Sequence, residues 1–475
     1  MAFNKPSEAV IEQLKAAVPG RCLTGADIID DYTHDEMDYS GKGQPDAVCL
    51  CTSTEEVSAV CRICYDNDLV IVPRGAGTGL SGGCTPFYGG VVVDTSKMNK
   101  ILAIDKDNMI ARIESGVLLT DLANAAVENG MMYPPDPGEI YATVGGNVAC
   151  NAGGMRAVKY GCTREYVRTM TVVLPDGRIV KLGGETSKNS SGYSLLSLMI
   201  GSEGTLGIIT ELGLKLIPAP KYQVSLLGVF EDLSSCIHTV SKVKLSGYDP
   251  QALEFIPRKL LDLIEKYMGK AVYPHEIEGT EVGAYLLTTF DCRKEEEFDE
   301  IMEGVAEVML EAGALDIVVF DTPDAMRNAW AVRKAALEAM QAAYNQMDEC
   351  DIVVPVSNIA TFCEYLMSIE DEVGMTLIAT GHAGDGNLHC NCLANDMDPA
   401  EFRKKADKFL DLAFAKGKEL NALVSGEHGI GSIRRRYLEE SCGKDVMELM
   451  RGIKSVFDPK GLLNPGKVCT YVDGE

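Results

Sequence analysis

The sequence has no run of eighteen apolar residues, and it does not start with a basic segment followed by an apolar one. The first absence excludes a transmembrane helix, and the second argues against a secretory signal peptide. We therefore expect a cytoplasmic protein. In such a reducing compartment the sixteen cysteines are expected to stay free rather than form a disulfide framework.

Positive charge is also scarce, because 44 Lys and Arg residues face 70 Asp and Glu residues and leave a net charge of −26. A surface this acidic repels nucleic acids and anionic lipids, so we expect neither as a partner. It also repels an acidic substrate, whose binding would need a local positive group. Aromatic residues are few, at 7%, but the 46% of hydrophobic residues can form sizeable cores and exclude a disordered chain.

The cysteines offer little sign of a metal or redox site. Cys61 and Cys64 form a C-x-x-C pair, but they fall within TSTEEVSAVCRICYDNDL, which predicts an amphipathic helix. No second pair follows at the spacing of a zinc ribbon or a ferredoxin. We interpret the pair as ordinary buried thiols, with a metal or redox role as the weaker alternative.

The pattern of the chain predicts an α+β fold. Ser7 is placed to cap a first helix, which Pro19-Gly20 would end. A strand–helix–strand unit follows from residue 46, and Pro218 and Pro220 mark the first boundary. Strands and helices then alternate as in an antiparallel sheet covered by helices. We divide the chain into residues 1–45, 46–219, 220–420 and 421–475.

A glycine-rich loop, PRGAGTGLSGG, spans residues 73–83 and contains G-x-G-x-x-G at Gly77, Gly79 and Gly82. In a Rossmann fold this motif opens a helix whose N-terminus meets a pyrophosphate. Here CTPFYGG and another strand follow, so the Rossmann interpretation fails. Successive backbone N–H groups of such a loop can still form an anion-binding nest. A purely structural turn is the weaker alternative.

Two further segments are rich in small residues. Residues 133–161 contain two Gly-Gly pairs and two Asn residues, and we expect irregular backbone laid around a planar ligand. In residues 188–211 a helix is expected to end at Gly201-Ser202-Glu203-Gly204, before a strand.

The second half of the chain holds a candidate metal set. His382 and His389 flank a glycine-rich turn that could bring both imidazoles to one centre, and Glu427 and His428 occur in a later glycine-rich loop. Two His residues and a carboxylate form a familiar set for a divalent metal with open positions for substrate. Ordinary buried histidines are the alternative.

These segments together resemble the vanillyl-alcohol oxidase/p-cresol methylhydroxylase family of flavoproteins. The glycine loop and the two small-residue segments resemble its FAD-binding domain, and GHAGDGNLHCN, SGEHGIG and FDPKGLLNPGK resemble its FAD-linked oxidase C-terminal half. The D-2-hydroxyacid dehydrogenase branch, with D-lactate dehydrogenases and the FAD subunit of glycolate oxidase, is the most similar. The resemblance runs from about residue 46 to 467. It implies a PCMH-type FAD-binding domain over 46–219, a substrate domain over 220–420 with the metal site, and a C-terminal segment that returns to the flavin.

The resemblance also implies a flavin site. The residues that match the family's cofactor-binding positions are Arg74, Gly75, Ala76, Gly77, Thr78, Gly79, Ser81, Pro137, Thr143, Gly146, Asn147, Ala149, Asn151, Glu203, Gly204, Gly207, Ile208, Ile209 and Asn464. Some relatives attach FAD covalently to a His in the first loop. Because Thr78 stands at that position, we expect FAD to be bound non-covalently.

The resemblance assigns the remaining chemistry residue by residue. His382, His389 and Glu427 match the ligands of a divalent metal, Zn, Fe or Mn, and His428 matches the catalytic base. Arg333 matches the anchor of the substrate carboxylate, and we add Asn391 as a substrate contact. Residue pattern alone leaves open whether Arg333 faces solvent, since Arg327 and Lys334 share its predicted helix.

The expected reaction is the oxidation of a small D-2-hydroxy acid to the 2-keto acid, with hydride transfer to FAD. Dicarboxylate-specific relatives carry a lysine for the second carboxylate shortly before the strand that ends in Pro355, and MDECDIVVP offers acids there instead. The resemblance therefore disfavours 2-hydroxyglutarate and implies a short monocarboxylate, D-lactate first and glycolate next. An electron-transferring flavoprotein or an iron–sulfur subunit is the expected acceptor, and some relatives couple such a step to electron bifurcation. The alternative is a catalytically silent flavin-binding subunit of a multisubunit oxidase.

Overall fold

The computed structural model describes residues 3–36 and 41–472. The expected N-terminal and C-terminal segments therefore each include a few residues outside the described ranges. The chain forms two compact units. Unit 1 comprises the described residues up to Gly153, Cys162–Ala219 and the chain from Glu427 onward, and unit 2 comprises Gly154–Gly161 and Pro220–Gly426. No helix within the described residues is long and apolar enough to cross a membrane.

The elements are numbered along the chain. The helices are α1 (Glu8–Ala17), α2 (Thr54–Asp66), α3 (Leu119–Glu128), α4 (Val144–Cys150), α5 (Ala157–Tyr160), α6 (Leu195–Met199), α7 (Leu233–Leu245), α8 (Arg258–Met268), α9 (Glu296–Glu311), α10 (Pro323–Lys334), α11 (Ala336–Ala343), α12 (Ile359–Ser368), α13 (Glu370–Val373), α14 (Pro399–Glu419), α15 (Arg435–Cys442) and α16 (Lys444–Phe457). The strands are β1 (Cys22–Thr24), β2 (Ala47–Leu50), β3 (Ile71–Arg74), β4 (Val91–Asp94), β5 (Ile101–Asp105), β6 (Ile110–Glu114), β7 (Met131–Met132), β8 (Val167–Val173), β9 (Ile179–Gly183), β10 (Ile208–Lys215), β11 (Ile217–Pro218), β12 (Tyr222–Phe230), β13 (Ala252–Pro257), β14 (Glu276–Ile277), β15 (Thr280–Glu281), β16 (Ala284–Cys292), β17 (Asp316–Phe320), β18 (Gln346–Val353), β19 (Thr376–His382) and β20 (Asn387–Ala394).

The first sheet of unit 1 has the order β1-β2-β4-β3, in which β2, β4 and β3 run parallel. The predicted strand–helix–strand unit is confirmed, with α2 capped by Ser53 and packed on this sheet. Cys61 and Cys64 are fully buried on the apolar face of α2, so the interpretation as buried thiols is confirmed. The loop between β3 and β4 contains no helix after Gly82, which agrees with the rejection of the Rossmann motif.

The second sheet of unit 1 is antiparallel, with the order β5-β6-β10-β8-β9. β8 and β9 form a hairpin at Asp176-Gly177, where Gly177 has a φ of +83° that glycine adopts without steric cost. β9 and β5 are the two edges of this sheet.

The expectation that residues 133–161 are irregular throughout is wrong. Residues 144–150 form α4, which Thr143 caps by accepting from the Gly146 N–H at 3.3 Å. Val144 and Val148 are fully buried, so this helix belongs to the core. A Cβ added to Gly145 would lie 2.6 Å from the Ser115 Cβ, which shows that the small residues permit close packing of a helix.

Unit 2 is built on a seven-stranded sheet with the order β17-β12-β16-β13-β19-β20-β18, and all its pairs are antiparallel. This confirms the predicted antiparallel sheet with helices. Apolar side chains of α8, α10 and α11 bury one face of it. The central strands β13, β19 and β20 carry the polar residues described below.

The chain also contributes an unexpected segment to unit 2. Residues Gly154–Gly161, with α5, belong to unit 2, although the chain on both sides of them belongs to unit 1. Asp291 holds this segment, since it accepts from Lys159 Nζ at 2.7 Å and from the Tyr160 hydroxyl at 2.5 Å. Nothing in the sequence pattern predicted this exchange.

Candidate active site

Unit 1 contains a cavity of about 220 Å³ beside the glycine-rich loop. Of the residues expected to bind the cofactor, those that line this cavity are Arg74, Gly75, Ala76, Gly77, Thr78, Gly79, Ser81, Pro137, Thr143, Gly146, Asn147, Ala149, Glu203, Gly204, Gly207, Ile208 and Ile209. Two others are not lining residues. Asn151 ends α4 in a left-handed conformation, with a φ of 57°. Asn464 donates to the Gly83 and Glu203 carbonyls, both at 2.9 Å.

The glycine-rich loop presents backbone donors to this cavity. Within the described chain, the N–H groups of residues 75–78 meet no hydrogen-bond acceptor. The Gly82 N–H is different, because the buried carboxylate of Asp35 accepts it. Glu36 N–H in turn donates to the Gly79 carbonyl at 3.1 Å. Part of the expected nest is therefore used inside the protein, and the first half of the loop remains available to an anion.

The C-terminal segment fixes the glycine-rich loop through hydrogen bonds. Lys467 is buried and donates through Nζ to the Gly82 carbonyl at 2.5 Å and the Thr85 carbonyl at 2.9 Å. Its burial lowers the pKa of Lys467 to about 7. Glu203 accepts from the backbone N–H groups of Ile430 and Gly431 at 2.8 and 2.7 Å, and burial raises the pKa of this carboxyl.

These features fit a dinucleotide flavin. The loop offers free N–H groups for a pyrophosphate, and two buried polar atoms at the cavity, Ser115 Oγ and Asn147 Nδ2, have no hydrogen-bond partner within the described chain. Buried polar atoms are normally satisfied, so both require a polar ligand or water. Asp35 and Lys467 were missed by the sequence analysis. Lys467 stands in the quoted FDPKGLLNPGK motif, but its role depends on a contact with a loop almost 400 residues earlier.

Glu427 and His428 line the same cavity. The Glu427 Oε1 atom lies 3.7 Å from His428 Nε2, and the His428 carbonyl accepts from Ser81 Oγ at 3.2 Å. Gly153 leaves room for this pair, because a Cβ there would lie 3.1 Å from Glu427 Oε2. The expected base and the expected carboxylate ligand are therefore neighbours at the cavity wall.

Unit 2 brings the two predicted imidazoles together. His382 ends β19 and His389 lies in the adjacent strand β20, with the two Nε2 atoms 3.4 Å apart. Each Nδ1 atom faces a buried carboxylate, with Glu254 Oε1 at 2.6 Å from His382 and Glu349 Oε1 at 3.3 Å from His389.

This arrangement fits a metal ion. A carboxylate beside Nδ1 favours the tautomer that carries its proton on Nδ1, and the Nε2 atom then presents a lone pair. Two lone pairs that converge at 3.4 Å repel each other unless a cation lies between them. Carboxylates that hold the outer nitrogens of metal-bound histidines are the usual second layer of such sites. The donors, nitrogen with carboxylate support, suit Zn, Fe or Mn.

Arg333 is buried next to this pair rather than facing solvent. Its Nε atom donates to Glu254 Oε2 at 2.9 Å, while its two terminal nitrogens meet no acceptor within the described chain. Arg327 of the same helix is exposed and pairs with Asp324. Glu254 is fully buried and so joins the guanidinium to His382.

Asn391 is 1% exposed, and its Oδ1 atom has no hydrogen-bond partner within the described chain. It lies two residues after His389 on β20 and therefore on the same face of the sheet. Its backbone partner on β18 is Glu349. The predicted substrate contact thus lies on the face that carries the imidazole.

Sequence reasoning missed three carboxylates of this site. Glu254 was the one acidic residue in the apolar strand QALEFIP, which was a usable signal. Glu349 and Asp351 belong to MDECDIVVP and were used only as an argument about substrate charge. Asp351 accepts from Asn387 Nδ2 at 2.6 Å, and from Ser425 Oγ and the Gly426 N–H at 2.7 and 3.0 Å.

Comparison with protein families agrees with this geometry. A model of the FAD-linked oxidases, C-terminal domain, matches residues 219–468, and an FAD-binding domain matches residues 45–183. The D-lactate dehydrogenase of Anaerostipes hadrus is 55% identical over 467 residues, which are 98% of each chain. The glycolate oxidase subunit GlcD of Bacillus subtilis is 35% identical over 453 residues, 94% of this chain and 95% of that protein.

Among solved structures, p-cresol methylhydroxylase superposes with a TM-score of 0.80 over 98% of this chain and 97% of that chain. The sequence identity is 19%, so this likeness concerns the fold. The expected α+β fold of the PCMH type is confirmed. Together with the two family matches and the relatives, it shows that the chain belongs to the FAD-linked oxidases, as an FAD-dependent D-2-hydroxyacid dehydrogenase.

Proposed function

We propose that this enzyme oxidises D-lactate to the 2-keto acid, with glycolate as the second candidate substrate. The 55% identical relative named D-lactate dehydrogenase supports the first, and the 35% identical glycolate oxidase subunit supports the second. The observation that carries the proposal is the guanidinium of Arg333, which Glu254 fixes through Nε while both terminal nitrogens stay available. In a chain of net charge −26 this fork is the local positive group that a carboxylate substrate requires.

We propose His428 as the base that takes the hydroxyl proton of the substrate. Imidazole is the side chain that most often serves as a general base near neutral pH. Its place at the cavity wall beside Glu427 supports this role. The residues of the cavity would hold FAD, which when bound would supply a hydride acceptor for the substrate carbon.

We further propose that His382, His389 and Glu427 hold a divalent metal, Zn, Fe or Mn. The converging Nε2 atoms and the carboxylates behind them support the two imidazole ligands. A bound metal would supply a Lewis acid that lowers the pKa of the substrate hydroxyl. Asn391, with its unsatisfied Oδ1, would add a contact to the substrate.

We also propose a substrate with one carboxylate. Glu349 and Asp351 are buried on the strand next to β20, whereas Asp348 of the same strand pairs with Arg403 at 2.7 Å. A second carboxylate near this strand would meet like charges in a region of low dielectric constant, which costs several kcal/mol. This supports lactate or glycolate over a dicarboxylate such as 2-hydroxyglutarate.

For reoxidation we propose a protein electron acceptor in the cytoplasm, either an electron-transferring flavoprotein or an iron–sulfur subunit, with electron bifurcation as one form of this coupling. The sequence has no ferredoxin-type cysteine run that would carry electrons within the chain. The same −26 charge that argues against an anionic membrane leaves a protein partner as the better choice.

The test is anaerobic mixing of the FAD-loaded enzyme with D-lactate, L-lactate, glycolate or D-2-hydroxyglutarate while the flavin absorbance is followed. We expect fast bleaching with D-lactate, slower bleaching with glycolate and little with the other two. Absence of bleaching with all four would favour the alternative, a silent flavin-binding subunit.

A second measurement addresses the metal. Enzyme treated with a chelator should keep its FAD, because the cavity and the imidazole pair draw on different segments of the chain, but it should lose reduction by D-lactate. Full reduction in verified metal-free enzyme would contradict the metal role. Loss of FAD together with the metal would contradict the expectation that FAD binds without the metal.

A further inference from the structure

One edge of the five-stranded sheet of unit 1 exposes apolar side chains. Tyr193 is 98% exposed just before α6, and Leu195 and Leu198 on α6 are 40% and 38% exposed. Leu196 packs α6 onto the end of β9, since a Cβ on Gly183 would lie 3.1 Å from its Cδ2 atom. On the edge strand β9, Ile179 is 44% exposed. We call the patch formed by Ile179, Lys181, Lys188, Tyr193, Leu195 and Leu198 the β9–α6 surface.

The cations at this surface have no acidic partners. Lys181, Lys188 and Arg164, which lies near Gly201 after α6, are exposed and form no ion pair within the described chain. Three acids lie between Arg164 and Leu198 in the sequence. Asp176 pairs with Arg178 and Glu185 with Arg112, so Glu165 is the acid of this stretch that forms no ion pair within the described chain. The exposed cations of this stretch therefore outnumber its unpaired acid, although the sequence as a whole has 70 acidic side chains.

The β9–α6 surface adjoins the flavin cavity through the backbone. Glu203, which lines the cavity, is the fourth residue after the end of α6 at Met199. Four residues span at most about 14 Å. The same stretch is fixed to α4, because Gly201 N–H donates to the Val148 carbonyl and Glu203 N–H to the Ala149 carbonyl, at 3.0 and 2.8 Å.

We propose that the β9–α6 surface docks an electron-accepting protein that presents an acidic, partly apolar face. An apolar centre with a charged rim is the usual composition of a protein interface. The unpaired cations would steer an acidic partner to this surface. A second copy of this acidic chain would be repelled less at this surface than at the rest of the molecule. The inference rests on the proposed protein electron acceptor and names its docking place.

The redox step balances without another reactant. Each substrate oxidation leaves two electrons on the flavin, and the docked partner takes up both in its own flavin, or one each in two iron–sulfur clusters. The partner is reduced as the flavin is reoxidised, and the proton from the substrate hydroxyl and the proton from the reduced flavin pass to solvent.

An anionic membrane is the competing occupant, since exposed Tyr, Leu and Lys residues also suit lipid. The net charge of −26 argues against it, because a few cations do not offset the repulsion of the remaining surface. A lysine on an edge strand also protects the edge from pairing with other strands. Both alternatives become outcomes of the test.

The experiment uses the FAD-loaded full chain and, as probe, the purified electron-transferring flavoprotein of the same organism. In steady-state turnover with D-lactate, the double variant Lys181→Glu with Lys188→Glu should raise the KM for the probe about tenfold at low ionic strength. The difference should shrink near 0.3 M salt, where the screening length is below about 8 Å. Leu195→Ser/Leu198→Ser should raise the KM at both salt concentrations. Turnover with dichlorophenolindophenol should stay unchanged in both variants.

The opposite edge of the same sheet supplies the matched control. Leu102 on β5 is 50% exposed, and Lys106 follows that strand and is exposed. Leu102→Ser/Lys106→Glu should leave the KM for the probe unchanged. Equal effects of the control and the β9–α6 variants, or no effect of the β9–α6 variants, would overturn the proposal. Binding of the wild-type enzyme to vesicles of about equal phosphatidylcholine and phosphatidylglycerol would also overturn the proposal, if the lysine substitutions abolish that binding.

A single-turnover version separates this inference from the proposed substrate. Enzyme photoreduced in the absence of any hydroxy acid is mixed with the oxidised probe, and the transfer rate is followed against probe concentration. A saturable transfer that the β9–α6 variants weaken supports the docking surface even if D-lactate fails to reduce the flavin. Transfer that is identical in wild type and variants overturns it even if D-lactate is the substrate.

Discussion

At the scale of single residues, the buried carboxylate of Glu254 contacts two residues of the candidate site. One oxygen accepts from Arg333 Nε at 2.9 Å and the other faces His382 Nδ1 at 2.6 Å, and the side chain is fully buried. A buried carboxylate is tolerated because both oxygens are satisfied by cationic or N–H donors. One side chain thereby sets the orientation of the proposed substrate anchor, Arg333, and of a proposed metal ligand, His382.

We predict that Glu254→Gln lowers metal affinity about 10- to 100-fold and raises the KM for D-lactate, with FAD content unchanged. The amide has one oxygen acceptor, so it can serve either Arg333 or His382 but not both. Metal analysis after dialysis, steady-state kinetics and flavin absorbance would measure the three quantities. Glu276→Gln, at an exposed residue of β14, is the control. Unchanged metal affinity and KM would show that Glu254 has no positioning role.

Lys467 gives a prediction with a defined pH dependence. Its folded-state pKa of about 7 lies below the ordinary value of 10.5, so between these values the unfolded chain binds more protons and stability rises with pH. We predict that the free energy of unfolding of wild-type apoprotein, relative to Lys467→Met, increases from pH 7 to pH 9 by up to about 1.4 kcal/mol per unit. Urea unfolding at three pH values would measure it. A difference that stays constant would mean that Lys467 is charged in the folded apoprotein.

At the scale of elements, α4 illustrates how glycine permits packing. Gly145 faces Ser115 so closely that an added Cβ would lie 2.6 Å from the Ser115 Cβ and 2.7 Å from its carbonyl oxygen. Gly145→Ala gains about 0.5–1 kcal/mol of helix propensity. The overlap costs about 1–3 kcal/mol, so the cost is the larger effect.

We therefore predict that Gly145→Ala lowers the melting temperature and weakens FAD retention, because Asn147 and Ala149 of α4 line the cavity. Gly452→Ala on α16 is the matched control, since nothing lies within 4 Å of its added Cβ and its backbone is helical. This control should raise stability by about 0.5–1 kcal/mol. Thermal unfolding and flavin release on gel filtration would compare them. Equal shifts for both would contradict the close contact.

The elements differ in how well they could be predicted from their sequences. α2 and α8 have an apolar face at helical spacing, and β12 and β16 are apolar runs bounded by turns, so local patterns predicted them. α4 was missed because VGGNVAC is rich in glycine, which disfavours an isolated helix, and here packing against Ser115 outweighs that preference.

The residues of the candidate site also differ in how well they could be predicted from the sequence. His382 and His389 could be expected to meet, because they flank a short turn between two strands. The carboxylates behind them could not, because Glu254 and Glu349 reach them from β13 and β18, 128 and 40 residues away. Contacts at such separations depend on strand order, which local pattern does not determine. Arg333 was identified by resemblance alone, and its burial follows from the contact with Glu254.

At the scale of the whole molecule, the end of the chain completes unit 1. Lys454 on α16 is buried and donates to the Thr205 carbonyl, the Leu463 carbonyl and Asp458 at 2.7, 2.7 and 2.5 Å. Asp458 also accepts from the N–H groups of residues 462 and 463, at 3.2 and 2.8 Å. Removing the partner of a buried charge costs about 3–5 kcal/mol.

We predict that a chain ending after Phe457 is destabilised and purifies without FAD, because it lacks Asp458, Asn464 and Lys467. A chain ending after Val472 keeps all three and should retain FAD at the wild-type ratio. The ratio of flavin to protein after gel filtration would measure both. Full FAD content in the shorter chain would show that the C-terminal contacts on the glycine loop are dispensable.

The discontinuous build of unit 1 has a consequence for the order of events during synthesis. The glycine-rich loop is translated almost 400 residues before Lys467 and Asn464, which donate hydrogen bonds to its carbonyl groups. Domains generally fold as units in the order of their synthesis. Here unit 2, from residue 220 to 426, is finished while unit 1 still lacks its last segment. We therefore expect flavin capture to follow translation of the segment that carries Asn464 and Lys467.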